Sequence, residues 1–142
     1  MIRPFAEGDL DQVMEIWLAA NLQAHSFVPA EYWEGNLAAV RRALPQAEVY
    51  VCQEGEELLG FLGLEGDYLA GIFVRPGEQS RGLGRQLLDR AKEVRDRLGL
   101  NVYQKNVRAL SFYRREGFRV LDEGTDRAAG ERELRMVWDR ER

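Results

Sequence analysis

Residues 79–85, Gln-Ser-Arg-Gly-Leu-Gly-Arg, place two glycines and two arginines directly ahead of a helical pattern. That combination suits anion binding. The first amides of a helix have no intrahelical partner and point outward. The helix dipole adds partial positive charge at the same end. Glycines remove side chains that would block a close approach to the backbone. A pyrophosphate can then rest on a ring of N–H groups with Arg81 and Arg85 nearby.

Two other phosphate-binding patterns fail here on chemistry. Gly77 and Gly82 have the spacing of a P-loop, but Leu83-Gly84 stand where that motif needs Lys followed by Ser or Thr. No lysine would reach a terminal phosphate and no hydroxyl would hold magnesium. Gly82 and Gly84 begin a dinucleotide fingerprint, but Leu87 replaces its third glycine. Gln79-Ser80-Arg81-Gly82-Leu83-Gly84 fits a third pattern in full, Gln/Arg-x-x-Gly-x-Gly/Ala between a strand and a long helix. Taken alone, the hexapeptide leaves an ordinary glycine turn as an equal alternative.

Such a loop needs a strand before it and a helix after it. Residues 68–74 are apolar almost throughout, which predicts a central strand covered on both faces. After the loop, Leu87, Leu88, Ala91, Val94 and Leu98 form a helical stripe, with Gly99 as its stop. Upstream, residues 2–5 read as a short opening strand. Asp9 is placed to cap a helix carrying Leu10, Val13, Ile16, Trp17 and Ala20 on one face. A second helix runs from Ala30 to Leu44 and ends at Pro45. Two strands, 48–54 and 57–66, form a hairpin around Gly55. Downstream come a fifth strand over 100–106, a short helix ended by Gly117, and two last strands. Leu134, Met136 and Trp138 share one face of the last. Hairpins beside one strand-helix-strand crossover predict a three-layer α+β fold. Its sheet should be mixed and mostly antiparallel, with about seven strands flanked by about four helices. Nothing in the chain reads as a linker or repeat, so residues 1–142 are expected to form one domain.

The two stretches 72–88 and 101–118 together resemble the signatures of the GNAT N-acetyltransferase superfamily. The first, IFVRPGEQSRGLGRQLL, is similar to its acetyl-CoA motif. The second, NVYQKNVRALSFYRREGF, carries Asn106 followed seven residues later by Tyr113 in an F-Y-x-x-x-G-F ending. The predicted element order is similar to that fold across nearly the whole chain. The segment IWLAANLQAHSFVPAEYW further resembles small bacterial members, some of which act on protein lysines.

The resemblance implies that the loop Gln79, Ser80, Arg81, Gly82, Leu83, Gly84 and Arg85 cradles the pyrophosphate of acetyl-CoA. It implies that the backbone of Ile72, Phe73 and Val74 pairs with the pantetheine arm, provided the strand diverges from the next one. A free N–H there would also stabilise the thioester oxyanion. Asn106 matches the asparagine that contacts the coenzyme arm, and capping the next helix is an equally weighted role. Tyr113 matches the tyrosine beside the sulfur, where a phenol can protonate the leaving thiolate; its alternative is a core aromatic beside Phe112. Relatives often carry a glutamate base at the position of Asn101, and an asparagine cannot accept that proton. His25, the lone histidine, is then a candidate general base, with a structural imidazole as the alternative. Glu65 is a weaker candidate. Phe27, Tyr32 and Trp33 are candidates to wall the acceptor pocket, Trp33 also falling on the second helix's apolar stripe.

Composition bounds the partners. There are 20 Lys and Arg against 24 Asp and Glu, a net charge of −4, with no strongly basic half, which argues against a nucleic-acid binder. The lone cysteine, Cys52, alternates with apolar strand residues; it allows no internal disulfide and no Cys-rich metal site, and no metal is expected. No window approaches a membrane span and the first residues lack a signal-peptide core, so a cytoplasmic protein is expected. Edge strands leave both a monomer and a homodimer open. The expected function is N-acetyl transfer to a primary amine, on a protein or a small molecule, with a coenzyme-binding sensor of little turnover as the alternative.

Overall fold

The structure, a computed structural model, describes residues 1–140. Ile2–Pro4 (β1), Glu48–Glu54 (β2), Glu57–Glu65 (β3) and Tyr68–Val74 (β4) pair antiparallel in sequence order. Beyond β4 stand Arg97–Tyr103 (β5), then Glu131–Asp139 (β7), then Arg119–Asp126 (β6) at the far edge. Only the β4–β5 junction is parallel, as the crossover between them requires. The expected mixed, mostly antiparallel sheet of seven strands is therefore present.

Alternation along β2 shows how the two cores arise. Val49 and Val51 face one buried cluster, with Val13, Ile16, Trp17 and Trp33. Tyr50 and Cys52 face the other, with Leu87, Leu88, Leu100 and Met136. The first is built by Leu10–Ala24 (α1) and Ala30–Gly35 (α2), with Leu37–Ala43 (α3) packed against it. Leu83–Val94 (α4) and Val107–Arg115 (α5) build the second. Leu134 and Met136 are buried there, with Trp138 packed against them, as their shared face predicts.

Several expectations are corrected. The described residues form five α-helices, because the second predicted helix breaks at Asn36. Glycine at 35 weakens the helix there, and the Asn36 amide donates to the Tyr32 carbonyl (2.6 Å), competing with the backbone ladder. Asp9 makes no side-chain cap to α1. Its carboxylate accepts from the Ala6 N–H (2.8 Å) and from the two terminal Arg3 guanidinium nitrogens at 2.8 and 2.9 Å. That pairing holds the Asp9 carboxyl below its ordinary range. α4 stops at Val94, which is exposed, so Gly99 does not end it. Leu98, Leu100 and Val102 alternate inward as strand residues, and Gly99 pairs with Tyr68. β4 has α1 and α4 on its two faces, as expected, but it is less buried than a central strand: Leu69 alone is fully buried and residues 71–74 are half-buried, because β5 leaves its edge after Tyr68.

Candidate active site

β4 and β5 touch at one register position, Tyr68 opposite Gly99, reinforced by the Gly99 N–H donating to the Asp67 carbonyl (2.9 Å). Past it the strands part. The extra residue Ala70 on β4, opposite the Gly63/Leu64 step of β3, marks a bulge where the turn begins. The Arg75 N–H donates back to Leu59 on the β3 side (2.7 Å). Strand alternation then puts the Phe73 N–H on the β3 side too, and those of Ile72 and Val74 on the open side. The divergence needed for coenzyme binding is thus a feature of the fold.

The parted strands open a groove of about 1020 Å³. Ile72, Phe73 and Val74 form one wall, and Asn106, Arg108 and Tyr113 from the β5–α5 side form another. Gln79, Ser80, Gly82, Leu83, Gly84 and Arg85 line it at the N-terminus of α4. Gly82 sits at φ +79° and turns the chain into the helix, a conformation that favours glycine. Nothing lies within 4 Å of where its Cβ would stand, so backbone there is open to an approaching group. Ser80 is also left-handed, at φ +68°. This cradle fits a pyrophosphate: the start of a 12-residue helix, open amides, and an exposed Arg85.

Not every loop residue turns inward. Arg81 pairs outward with Glu78 and with Glu54 (3.2 Å), and it does not line the groove. Gln79 joins α1 to the loop by donating to the Gln23 amide oxygen (2.8 Å). Nothing in the local sequence marks Arg108 as a groove residue. It donates to Gln79 (3.3 Å) and Ser80 (3.1 Å), and with Lys105 and Arg115 it adds cations to the groove. These residues lie in or beside the predicted short helix, but only the fold brings that helix to the loop.

Tyr113 is 8% exposed, lies in the groove, and meets Phe112 and Phe118 edge-on at 5.3 and 5.4 Å. Burial first, and the neighbouring Tyr68 phenol second, raise its pKa well above the ordinary phenol range. Core aromatic and groove-lining phenol are therefore one side chain. Asn106 caps α5, its Oδ1 accepting from the Ala109 N–H (3.2 Å). Its Nδ2 lies 3.0 Å from His25 Nε2, and His25 Nδ1 lies 3.0 Å from Asn21 Oδ1. His25 stacks on Trp33 and meets Phe27 and Tyr103 edge-on. Burial lowers its pKa to about 4, so it is neutral at pH 7. Both ring nitrogens are engaged within the protein, so a general-base role for His25 requires the Nε2 contact with Asn106 to open.

Beyond this aromatic wall stand carboxylates. Tyr103 donates to Asp126 (2.7 Å), and Asp126 and Glu133 both push up the Tyr32 phenol, after its burial. Asn101 donates to Glu133 Oε1 (3.0 Å), so β7 brings a carboxylate beside the β5 position that lacks one. Glu65 ends β3 and, with Glu133, raises the Tyr68 phenol, burial being the larger cause.

Residues 45–120 match the acetyltransferase (GNAT) domain family. The chain is 38% identical over 124 residues to the peptidyl-lysine N-acetyltransferase YiaC of Escherichia coli, covering 86% of this chain and 85% of that protein. It is 32% identical to the peptidyl-lysine N-acetyltransferase YjaB of the same organism over 84% of this chain and 82% of that one. The solution structure of apo-form YjaB superposes with a TM-score of 0.85 at 28% identity, covering 97% of this chain and 96% of that one. Groove, loop and likeness agree: the chain belongs to the GNAT acetyltransferases, enzymes that use acetyl-CoA.

Proposed function

We propose that this enzyme acetylates lysine side chains of proteins, with acetyl-CoA along β4 and Tyr113 as the general acid. One observation carries the reading: a single groove holds the open backbone of β4, the N-terminus of α4 and the buried Tyr113 phenol. Bound acetyl-CoA supplies an acetyl group activated as a thioester. The amides at Gly82–Arg85, with Arg85 and Arg108, hold the anionic end. Ile72 and Val74 offer N–H and C=O groups to an amide-bearing arm as an added strand would. Tyr113, kept protonated at neutral pH, gives its Oη proton to the departing sulfur.

The lysine acceptor is supported by the peptidyl-lysine relatives and by the charge beside the aromatic wall. Asp126 and Glu133 attract an ammonium there, while Phe27, Tyr32 and Tyr103 offer aromatic faces to its chain. A free lysine amine costs roughly 4–5 kcal/mol to deprotonate at pH 7. Desolvation against this wall lowers that cost, and Glu133 is the carboxylate placed to receive the proton. The lone thiol, Cys52, is buried in β2, in keeping with a place in the reducing cytoplasm.

The test is calorimetric titration with acetyl-CoA, followed by a free-thiol assay on lysine peptides. Tyr113→Phe should lower kcat about 100-fold while leaving acetyl-CoA affinity within about twofold. Unchanged kcat would remove Tyr113 from the mechanism. Binding without thiol release on any acceptor would make the protein a coenzyme sensor.

A further inference from the structure

Asn21 and His25, one turn apart at the end of α1, and Asn106, 81 positions beyond His25, make one continuous hydrogen-bond chain at the groove. The Asn21 amide donates to the Trp17 carbonyl (2.9 Å), which turns its Oδ1 toward His25 Nδ1. An amide oxygen only accepts, so Nδ1 must carry the proton and Nε2 must be the bare lone pair. At the other end, Asn106 Oδ1 accepts from the Ala109 N–H, which turns its Nδ2 toward His25 Nε2. Flipping either amide would set two donors or two acceptors face to face. The three residues therefore fix one tautomer and one rotamer set. Asn21 is 3% exposed, and the Trp33 ring stacked on His25 holds the imidazole plane.

Asn106 Nδ2 has two hydrogens. His25 takes one, and the other has no protein acceptor among the described residues, on a side chain that lines the groove. We propose that His25 is a positioning residue: acting through its bare Nε2 and under the control of Asn21, it aims the second Asn106 N–H at a carbonyl of the amide-bearing coenzyme arm. This rests on the acetyl-CoA reading of the groove. It also explains why a histidine beside the reaction site is held neutral: a protonated Nε2 would confront the Asn106 amide hydrogens. The titratable and charged groups around the ring are Tyr103 from β5, whose hydroxyl donates to Asp126, and Lys105, whose ammonium lies over the Phe27 ring.

The experiment compares two ligands by calorimetry, acetyl-CoA and adenosine 3′,5′-bisphosphate, which lacks the arm. If wild type does not bind acetyl-CoA, the reading of the groove fails. If it does, His25→Ala and Asn106→Ala should each weaken acetyl-CoA about tenfold, the double variant no further, with bisphosphate binding unchanged. Equal loss on both ligands would mean that the groove has merely collapsed, and no loss on either would mean that His25 aims nothing; both overturn the proposal. Asn21→Asp keeps the shape but puts a carboxylate on Nδ1, which favours the protonated ring. The KM for acetyl-CoA in that variant should rise several-fold between pH 8 and pH 6, with kcat following the wild-type profile. A KM profile parallel to wild type would overturn the proposal as well.

Discussion

β3 is buried at every position from Leu58 to Leu64; β4, beside it and just as apolar in sequence, is fully buried only at Leu69. β3 has a strand on each side, and α1 and α4 pack on its two faces. Gly60 lets β4 close in: a Cβ there would stand 2.7 Å from the Phe73 carbonyl oxygen. β4 has the same helices near it but loses its second strand after Tyr68. Apolar side chains in β3 close a core, whereas in β4 they surround backbone left open for a ligand. An apolar run marks a low-polarity setting; whether the backbone in it is paired depends on the neighbouring strand.

The sharpest contrast is in stability. Leu62 is fully buried, so Leu62→Ala should cost about 3–4 kcal/mol by chemical denaturation. Ile72, half-buried and beside the groove, should cost about 1–2 kcal/mol on the same change. Equal costs would show that β4 is core after all. Proline separates the two sides of β4 itself. Val74→Pro removes an N–H on the open side, so the fold should survive as at an edge strand while acetyl-CoA affinity falls about three- to tenfold. Phe73→Pro removes a β3-side bond and should cost about 3 kcal/mol of stability. If Val74→Pro unfolds the protein, the assignment of open and paired sides is reversed.

Much of the frame was legible because period and punctuation were strong: seven strands in order, the α4 stripe at Leu87, Leu88 and Ala91, and the glycine loop. Position in the sheet was less so. Residues 97–99 look helical by the spacing of Leu98 from Val94, and only pairing with Tyr68 and Trp138 makes them strand. At the site, Asn106 and Tyr113 stood out through their spacing in a resembled motif. Arg108 did not, since an arginine on a polar helix looks like any solvated charge. The contact between His25 and Asn106 spans 81 positions, and no local pattern encodes which ring nitrogen is occupied. The Asn101–Glu133 bond likewise depends on the β5–β7 register.

A smaller effect follows from the buried imidazole on the α1 side of the groove. The folded state keeps His25 neutral down to about pH 4, while an unfolded chain protonates it near 6.5. Between those values the unfolded state binds more protons, so this contribution to stability is full above pH 6.5 and is lost as pH falls toward 4. Discounted for partial exposure, the loss should be about 1–2 kcal/mol. Denaturation midpoints of wild type and His25→Gln between pH 7.5 and 4.5 measure it; parallel curves would show that the ring titrates normally in the fold.

The smallest effect tests the loop that β4 leads into. Ser80 holds φ +68°, which costs an ordinary side chain about 1 kcal/mol relative to glycine. Its hydroxyl also accepts from Arg108, tying α5 to the cradle. Ser80→Gly relieves the strain but frees the unfolded chain and removes that tie, so the net change in stability should stay under about 1 kcal/mol. Acetyl-CoA affinity should nonetheless fall about two- to threefold, because Arg108 loses a contact that holds its guanidinium over the groove. An affinity that rises with stability would show that glycine serves the loop better and that the serine hydroxyl contributes nothing to binding. A loss of affinity at constant stability would show that this half of the molecule retains strain where it organises a site, which β3 has no reason to do.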